Sequence, residues 1–378
     1  MDKGRKKIVM IGPVYPYKGG IAHYTSLMYR ALSCKYDVRM ISYSMQYPKI
    51  LFKKEQRDYD NKTFQIPDTK YWINTANPFN ILSVARKIRK MKPDLVIFQW
   101  WHPYFAPCYW IMEKVLAHTK KLFVCHNVFP HERFPMDRRL ASMVLKNGNC
   151  FIVQSKQDEA DLLTIRRDAP HARTVHPTYN AFRLEGISRA TARERLGIDA
   201  KEKVLLFFGF VREYKGLKHM IHALPEIVSA QPDVKLYIVG DFDGDKEHYL
   251  EMIREEGMES HVVIQDGYIP DREVEKYFAA SDLVVLPYES ATQSGIVQIA
   301  YGFELPVVAT AVGGLPEVVL DGVTGYVVPP QDDSALTKAV IRFFAEDRAE
   351  EFHENVIREA DRYSWEHMVE VIEGLWQK

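Results

Sequence analysis

Along the whole chain, short runs of β-branched and apolar residues alternate with longer stretches in which apolar positions recur every three or four residues. The first pattern is that of strands buried on both faces, the second that of helices with one buried stripe. Strands are expected at Lys6 to Ile11, Val38 to Ser42, Asp94 to Gln99, Lys121 to Cys125 and Asn149 to Gln154. The pattern restarts with strands at Lys203 to Phe208, Val234 to Val239, Val262 to Gln265, Leu283 to Leu286 and Pro306 to Thr310. Between them the spacing predicts helices over Ile21 to Leu32, Phe79 to Met91, Lys156 to Leu163, Ser188 to Leu196, Glu247 to Glu256, Arg272 to Ala280 and Ser364 to Lys378. Ser155 and Asp271 stand where caps are expected, with Glu159 completing a near capping box behind Ser155. Residues 44–75 are polar, aromatic and irregular and read as an extended loop.

Two βα runs separated by His176-Pro177-Thr178-Tyr179-Asn180 predict an α/β fold of two Rossmann-like domains, 1–182 and 183–363, facing each other across a central cleft. A length of 378 residues suits two such domains. With 50 basic and 50 acidic side chains the formal net charge is zero, which argues against nucleic acid as a partner. The four cysteines, Cys34, Cys108, Cys125 and Cys150, form no CxxC pair and read as reduced thiols of a cytoplasmic protein. The apolar part of the N-terminal segment is only a strand long and runs into Gly12-Pro13, so no signal peptide is expected. The most hydrophobic window, Asp94 to Glu113, is broken by Gln99, His102, Pro103 and Pro107 and makes a poor membrane span.

Candidate chemistry gathers where strands end, since open α/β sheets bind ligands at their carboxyl edge. After Leu283 to Leu286 comes Pro287, then a polar turn with Glu289, Thr292, Gln293, Ser294 and Gly295, then a helix. Strand, small polar turn and helix aim backbone N–H groups at an anion, and Thr292, Gln293 and Ser294 add side-chain donors. The plainer reading is a βα turn whose Ser and Thr only cap a helix. Arg212 and Lys215 follow another strand end, at Gly209, and precede a helix, a placement that suits a diphosphate. Gly240 ends the next strand, and Tyr268 and Ile269 fall on the same edge, where an aromatic and backbone groups suit a nucleobase. In the first half, Gly19 and Gly20 form a turn before a helix, either a tight turn alone or a close approach to phosphate. There is no GxGxxG, so a dehydrogenase reading is weak. His126 ends a strand, and Trp101 and His102 end another. Basic residues at the end of the helix ending near Met91 suit its dipole or an anionic membrane surface. No HExxH or EF-hand spacing is present and no metal is expected.

FFGFVREYKG, IVGD, GYIPD, SDLVVLPY and PVVATAVGGLPEVVLDGVTGYVVPP follow one another in the second half, with GGIAHYT and HNVFPHE in the first. Together they resemble the retaining glycosyltransferases of family four, with the GT-B fold. The resemblance implies a nucleotide diphosphate sugar as co-substrate with no cofactor or metal. It implies that Arg212 and Lys215 bind the donor diphosphate, that Gly20 approaches it, that Tyr268 and Ile269 flank the base, and that His126 contacts the donor sugar or the reaction centre, so that His126, Arg212 and Lys215 form the expected catalytic set. It also implies that the helix at 364–378 crosses back onto the first domain. Gly19, Gly209, Gly240, Glu289, Thr292, Gln293, Ser294 and Gly295 complete the expected donor set, and His23, Trp101 and His102 the acceptor set. This chain departs from the family in two respects. Ala291 and Ile299 stand where such enzymes carry two glutamates eight positions apart, and Phe210 stands at the more usual arginine position.

The expected reaction moves a hexose with retention to a hydroxyl of a glycan or lipid-linked acceptor, in polysaccharide or glycolipid assembly, with loose contact to the inner membrane face. Two competing readings are a sugar-nucleotide epimerase or hydrolase, for which Glu132 and Glu289 are the available carboxylates, and a non-catalytic nucleotide-sugar-binding protein.

Overall fold

In the second half the apolar runs fold into six parallel strands, and in the first half into seven. A computed structural model describes residues 5–51, 55–59, 62–130, 135–178, 180–242, 244–291 and 293–377. They form two compact units, one comprising residues up to Thr174 together with those from Trp365 onward, the other Val175–Ser364.

In the first unit the strands are β1 (Lys7–Ile11), β2 (Asp37–Met45), β3 (Lys70–Asn74), β4 (Leu95–Trp100), β5 (Lys120–Cys125), β6 (Cys150–Val153) and β7 (His171–Arg173). Their order across the sheet is β3-β2-β1-β4-β5-β6-β7. Pairings such as Val9 with Val96 and Phe98 with Phe123 are parallel. The inner strands are covered on both faces, so β4 is buried at all six positions, and the sequence LVIFQW carries only one polar residue. The core is aromatic, with Phe98 stacked on Phe123 at 4.9 Å and Tyr109 against Phe98 at 5.1 Å. The helix Trp365–Gln377 closes this unit. It buries Met368, Val369 and Ile372, and Tyr36 donates to its Glu373 at 2.7 Å.

The second unit holds β8 (Lys203–Phe208), β9 (Val234–Gly240), β10 (Val262–Asp266), β11 (Leu283–Leu286), β12 (Val307–Thr310) and β13 (Gly325–Val328), in the order β10-β9-β8-β11-β12-β13. The chain winds outward from β8 to β10, then returns to place β11 on the other side of β8. That reversal makes the β8/β11 boundary the topological switch point of this sheet, the place where open α/β sheets bind their ligands.

Several local expectations are corrected. Residues 44–75 are not all loop: β2 runs on to Met45 and Lys70–Asn74 forms β3. As an edge strand β3 fully buries only Ile73, so its sequence shows neither alternation nor an apolar run. Ser155 does cap the helix Lys156–Ile165, but its partner is Asp158, whose N–H donates to Ser155 Oγ at 3.0 Å and whose carboxylate accepts from it at 2.7 Å. Glu159 instead meets His171 and Arg173. Asp271 is the first residue of the helix Asp271–Ala280, behind Pro270, and not its cap. Ser294 caps the helix Gly295–Gly302, accepting from Ile296 N–H at 3.3 Å. Among the described residues no helix is long and apolar enough to cross a membrane. Cys34 is exposed and Cys108, Cys125 and Cys150 are buried, and all four are free thiols.

Candidate active site

At the switch point of the second sheet, β8 delivers Gly209, whose φ of 104° is open to glycine and strained for other residues. A Cβ placed on Gly209 would stand 3.2 Å from Lys215 Nζ and 3.6 Å from Ile296 Cδ1. Three separate segments therefore meet over one glycine: the end of β8, the turn Glu213–Lys215 and the helix Gly295–Gly302. Gly240, at the end of β9, lies against Gly209, with a hypothetical Cβ 1.9 Å from the Gly209 carbonyl oxygen. Gly216 (φ 63) heads the helix Leu217–Ala230, and a Cβ there would stand 2.0 Å from the carbonyl oxygen of Pro287, just past β11. Gly216 offers no side chain to the first turn of that helix. Glycine at these points lets the two strand ends and the helix start pack backbone to backbone.

Lys215 brings a cation into this edge. Its Nζ lies 5.7 Å from the centre of the buried Tyr288 ring, and no carboxylate pairs with it among the described residues. Burial first, and the positive charge of Arg212 second, push its amine down to about 8. A site that disfavours its own cation in the empty state is one that gains from an incoming anion. Arg212 is exposed, in extended backbone just before the turn. Tyr288 reaches Ser294 at 3.4 Å, and Thr310 donates to the Tyr288 carbonyl at 2.5 Å, which fixes the turn after β11. Gly267 donates to the Gly240 carbonyl at 3.1 Å and carries half-buried Tyr268 and Ile269 onto the same edge. Gln293 is half-buried beside Ser294, and Thr292 lies outside the described residues.

Glu289, expected in the donor set, is engaged by three side chains. Its Oε1 accepts from Lys218 Nζ at 2.8 Å and from His219 Nε2 at 3.0 Å, and its Oε2 from Gln331 Nε2 at 3.1 Å. The Lys218 contact, the largest effect, holds the carboxyl below the usual range. Lys218, His219, Gln331 and Asp333 were not anticipated. The first two adjoin Lys215 in sequence, but Asp333 reaches His219 across 114 positions and left no local signal.

In the first unit, Gly19 (φ 105) and Gly20 open the helix Gly20–Ser33. His126 is 7% exposed; its Nε2 meets Gln99 Oε1 at 2.8 Å and its ring packs edge-on against Tyr24 at 4.7 Å. His23 packs at a tilt against Phe64, with ring centres 4.7 Å apart. His102 accepts from the Tyr104 N–H at 3.1 Å and so caps a short turn, while burial lowers the pKa of its ring. Trp101 donates to Tyr47 at 3.1 Å and packs on Phe105 at 4.1 Å. His102 and Trp101 thus hold one aromatic corner together. Glu132, the other carboxylate weighed for hydrolysis, lies outside the described residues. Among the described residues no three His, Cys, Asp or Glu side chains gather as a metal group.

Two doubly wound parallel sheets, the second with a glycine-walled cationic edge at its switch point, define the GT-B class of fold. Residues 202–346 match the family described as glycosyl transferases group 1, so the second unit carries a domain of that family. D-inositol 3-phosphate glycosyltransferase of Segniliparus rotundus is 29% identical over 263 residues, 66% of this chain and 56% of that protein. The enzyme of the same name from Corynebacterium diphtheriae is 27% identical over 250 residues, 63% of this chain and 58% of its own length. The chain thus spans little more than half the length of these curated relatives. Among solved structures, Anabaena HepE in complex with UDP-glucose superposes with a TM-score of 0.75 at 19% identity, over 98% of this chain and 100% of the other. Sucrose-phosphate synthase of Thermosynechococcus elongatus does so at 0.71 and 20% identity, over 99% and 98% of the two chains.

Proposed function

We propose that this chain is a retaining, metal-independent hexosyltransferase that takes its sugar from a nucleotide diphosphate sugar and delivers it to a hydroxyl of a glycan or lipid-linked acceptor. The observation that carries the reading is Lys215, a cation without a carboxylate partner among the described residues, set over Gly209 where β8, β11 and two helix starts converge. As the bond from the anomeric carbon to the diphosphate oxygen breaks, positive charge grows on the ring and negative charge on the leaving group. Lys215, Arg212 and the N-termini of helices Leu217–Ala230 and Gly295–Gly302 oppose the latter charge. The acceptor oxygen bonds to the anomeric carbon, and its proton passes to an oxygen of the departing phosphate, so no side-chain base is invoked. The sequence relatives named for glycosyl transfer, and the UDP-glucose complex of HepE, support this reading.

The test is a panel of UDP-, GDP-, ADP- and TDP-hexoses scored by thermal stabilisation, followed by product analysis with and without acceptor and with chelator. Ligand at about 100 times its dissociation constant adds ~2.7 kcal/mol. Transfer with retained configuration, unaffected by chelator, is expected. Sugar release or epimerised donor without acceptor would replace this reading by the hydrolase or epimerase one. Tight binding without turnover across acceptors would leave a nucleotide-sugar-binding protein.

A peripheral, cytoplasmic-face membrane contact is part of the same proposal, supported by the helix Pro78–Lys90. It contains no acidic residue, exposes Phe79 at 84%, and exposes Arg86, Lys87, Arg89 and Lys90. Sedimentation with anionic but not zwitterionic vesicles is expected, and equal behaviour with both would remove the contact.

A further inference from the structure

The cluster around Glu289 joins three segments that are far apart in the chain. The Glu289 N–H donates to the Tyr214 carbonyl at 2.7 Å, which ties the turn after β11 to the turn carrying Lys215. The carboxylate then gathers Lys218 and His219 from the start of the helix Leu217–Ala230, and Gln331 from the segment before the helix Asp333–Ala345. On its other side the His219 ring meets Asp333, with Nδ1 2.6 Å from Oδ1. His222 lies 3.3 Å from the second Asp333 oxygen. A carboxylate oxygen only accepts, so each ring nitrogen that carries a proton donates to its carboxylate, and the His219 ring spans Glu289 and Asp333 as a two-ended strut. The strut is largely shielded, with side-chain exposures of 13% for His219 and 19% for Glu289.

We propose that Glu289, His219 and Asp333 are positioning residues: a carboxylate–imidazole–carboxylate brace that fixes the Lys215 turn against the turn after β11. The inference rests on the reading of Lys215 as the diphosphate-facing cation. It removes Glu289 from contact with the donor and gives it two tasks. One is geometric, because the brace sets where Lys215 stands relative to Gly209 and Ile296. The other is electrostatic: Glu289 neutralises the charge of Lys218. The positive field at the edge is thereby concentrated on Lys215 and Arg212. A misplacement of about 1 Å in such a site is worth ~10²-fold in rate.

The experiment compares Glu289→Gln, His219→Gln and Asp333→Asn with the wild type for melting temperature, nucleoside diphosphate affinity, sugar-nucleotide affinity and kcat. The brace predicts that all three variants lose kcat by about 10- to 100-fold while remaining folded. In Glu289→Gln a negative charge leaves the neighbourhood of the diphosphate, so nucleoside diphosphate affinity stays the same or rises. The double variant His219→Gln/Asp333→Asn should be no worse than the poorer single one, because both remove the same strut. A direct donor contact by Glu289 gives a different result. Glu289→Gln would then lose sugar-nucleotide affinity selectively over nucleoside diphosphate, and Asp333→Asn would leave kcat intact, overturning the proposal. Unchanged kcat in all three variants would overturn it as well. If Lys215→Met also keeps full turnover, the diphosphate reading itself has failed; if Lys215→Met is impaired while the three variants are not, only the brace has failed.

Discussion

The carboxyl edges of the two sheets are built from opposite materials. In the second unit the edge is backbone and cation: Gly240 packs against the Gly209 main chain and Gly216 against that of Pro287, and Lys215 stands over Gly209 with no carboxylate pairing it among the described residues. In the first unit the edge is aromatic and internally satisfied: His126 is held by Gln99, His102 by a backbone N–H, and Trp101 by Tyr47. A pre-formed anion edge must leave donors and charge for its ligand, whereas a packed aromatic corner spends its polar groups on itself. If the chain transfers sugar as proposed, this difference is what would draw the anionic donor to the second unit.

The largest expected effect tests the cation. Lys215→Met should lower turnover by about 10²–10³-fold. The same substitution should leave melting temperature unchanged or higher, because burial holds the Lys215 amine at about 8, well below its ordinary value. The sign follows from linkage. Below about pH 8 the folded state carries the cost of a desolvated cation, and that cost is relieved as pH rises toward the unfolded value. Equal loss of stability and turnover would instead make Lys215 a packing residue.

Next in size is the glycine wall. Gly216→Ala would set a methyl group 2.0 Å from the Pro287 carbonyl oxygen in left-handed backbone, and should destabilise the second unit by about 1–3 kcal/mol. Chemical denaturation checks this; an unaltered midpoint would show that the β8 and β11 ends are not locked together there.

The smallest effect belongs to the first unit, away from its carboxyl edge. Glu113 is buried with neither carboxylate oxygen hydrogen-bonded, and burial, against the opposing pull of Lys121, raises its pKa to about 8. The folded carboxyl therefore holds its proton where the unfolded one has lost it. Stability from this group is present below about pH 4.5 and falls as pH rises through about 8. Glu113→Gln should match the wild type near pH 5 and be more stable at pH 9. Parallel stability curves for the two proteins would contradict this.

The contrast also explains what the sequence disclosed. The second unit was legible because most of its strands are near-continuous apolar runs, and because Gly209, Gly240 and Gly267 stand at strand ends, with Arg212 and Lys215 close behind the first. β3 was not legible, since an edge strand with exposed Lys70 and Tyr71 shows no period. Glu289 was placed in the donor set because it sits beside the TQSG turn. Its partner Gln331 lies 42 positions further on, and only the fold brings them together. His126, His102 and Trp101 stand at strand ends as expected, but that position says nothing about Gln99 or Tyr47, which engage His126 and Trp101, and His23, inside the helix Gly20–Ser33, gives no sign of Phe64.

The most direct measurement is hydrogen exchange of the whole protein with and without the sugar nucleotide that stabilises it most. The account predicts slowed exchange at residues 209–218 and 293–297, where the Lys215 turn and the helix after β11 meet. Binding that leaves those segments unprotected and slows exchange only in the first unit would contradict it.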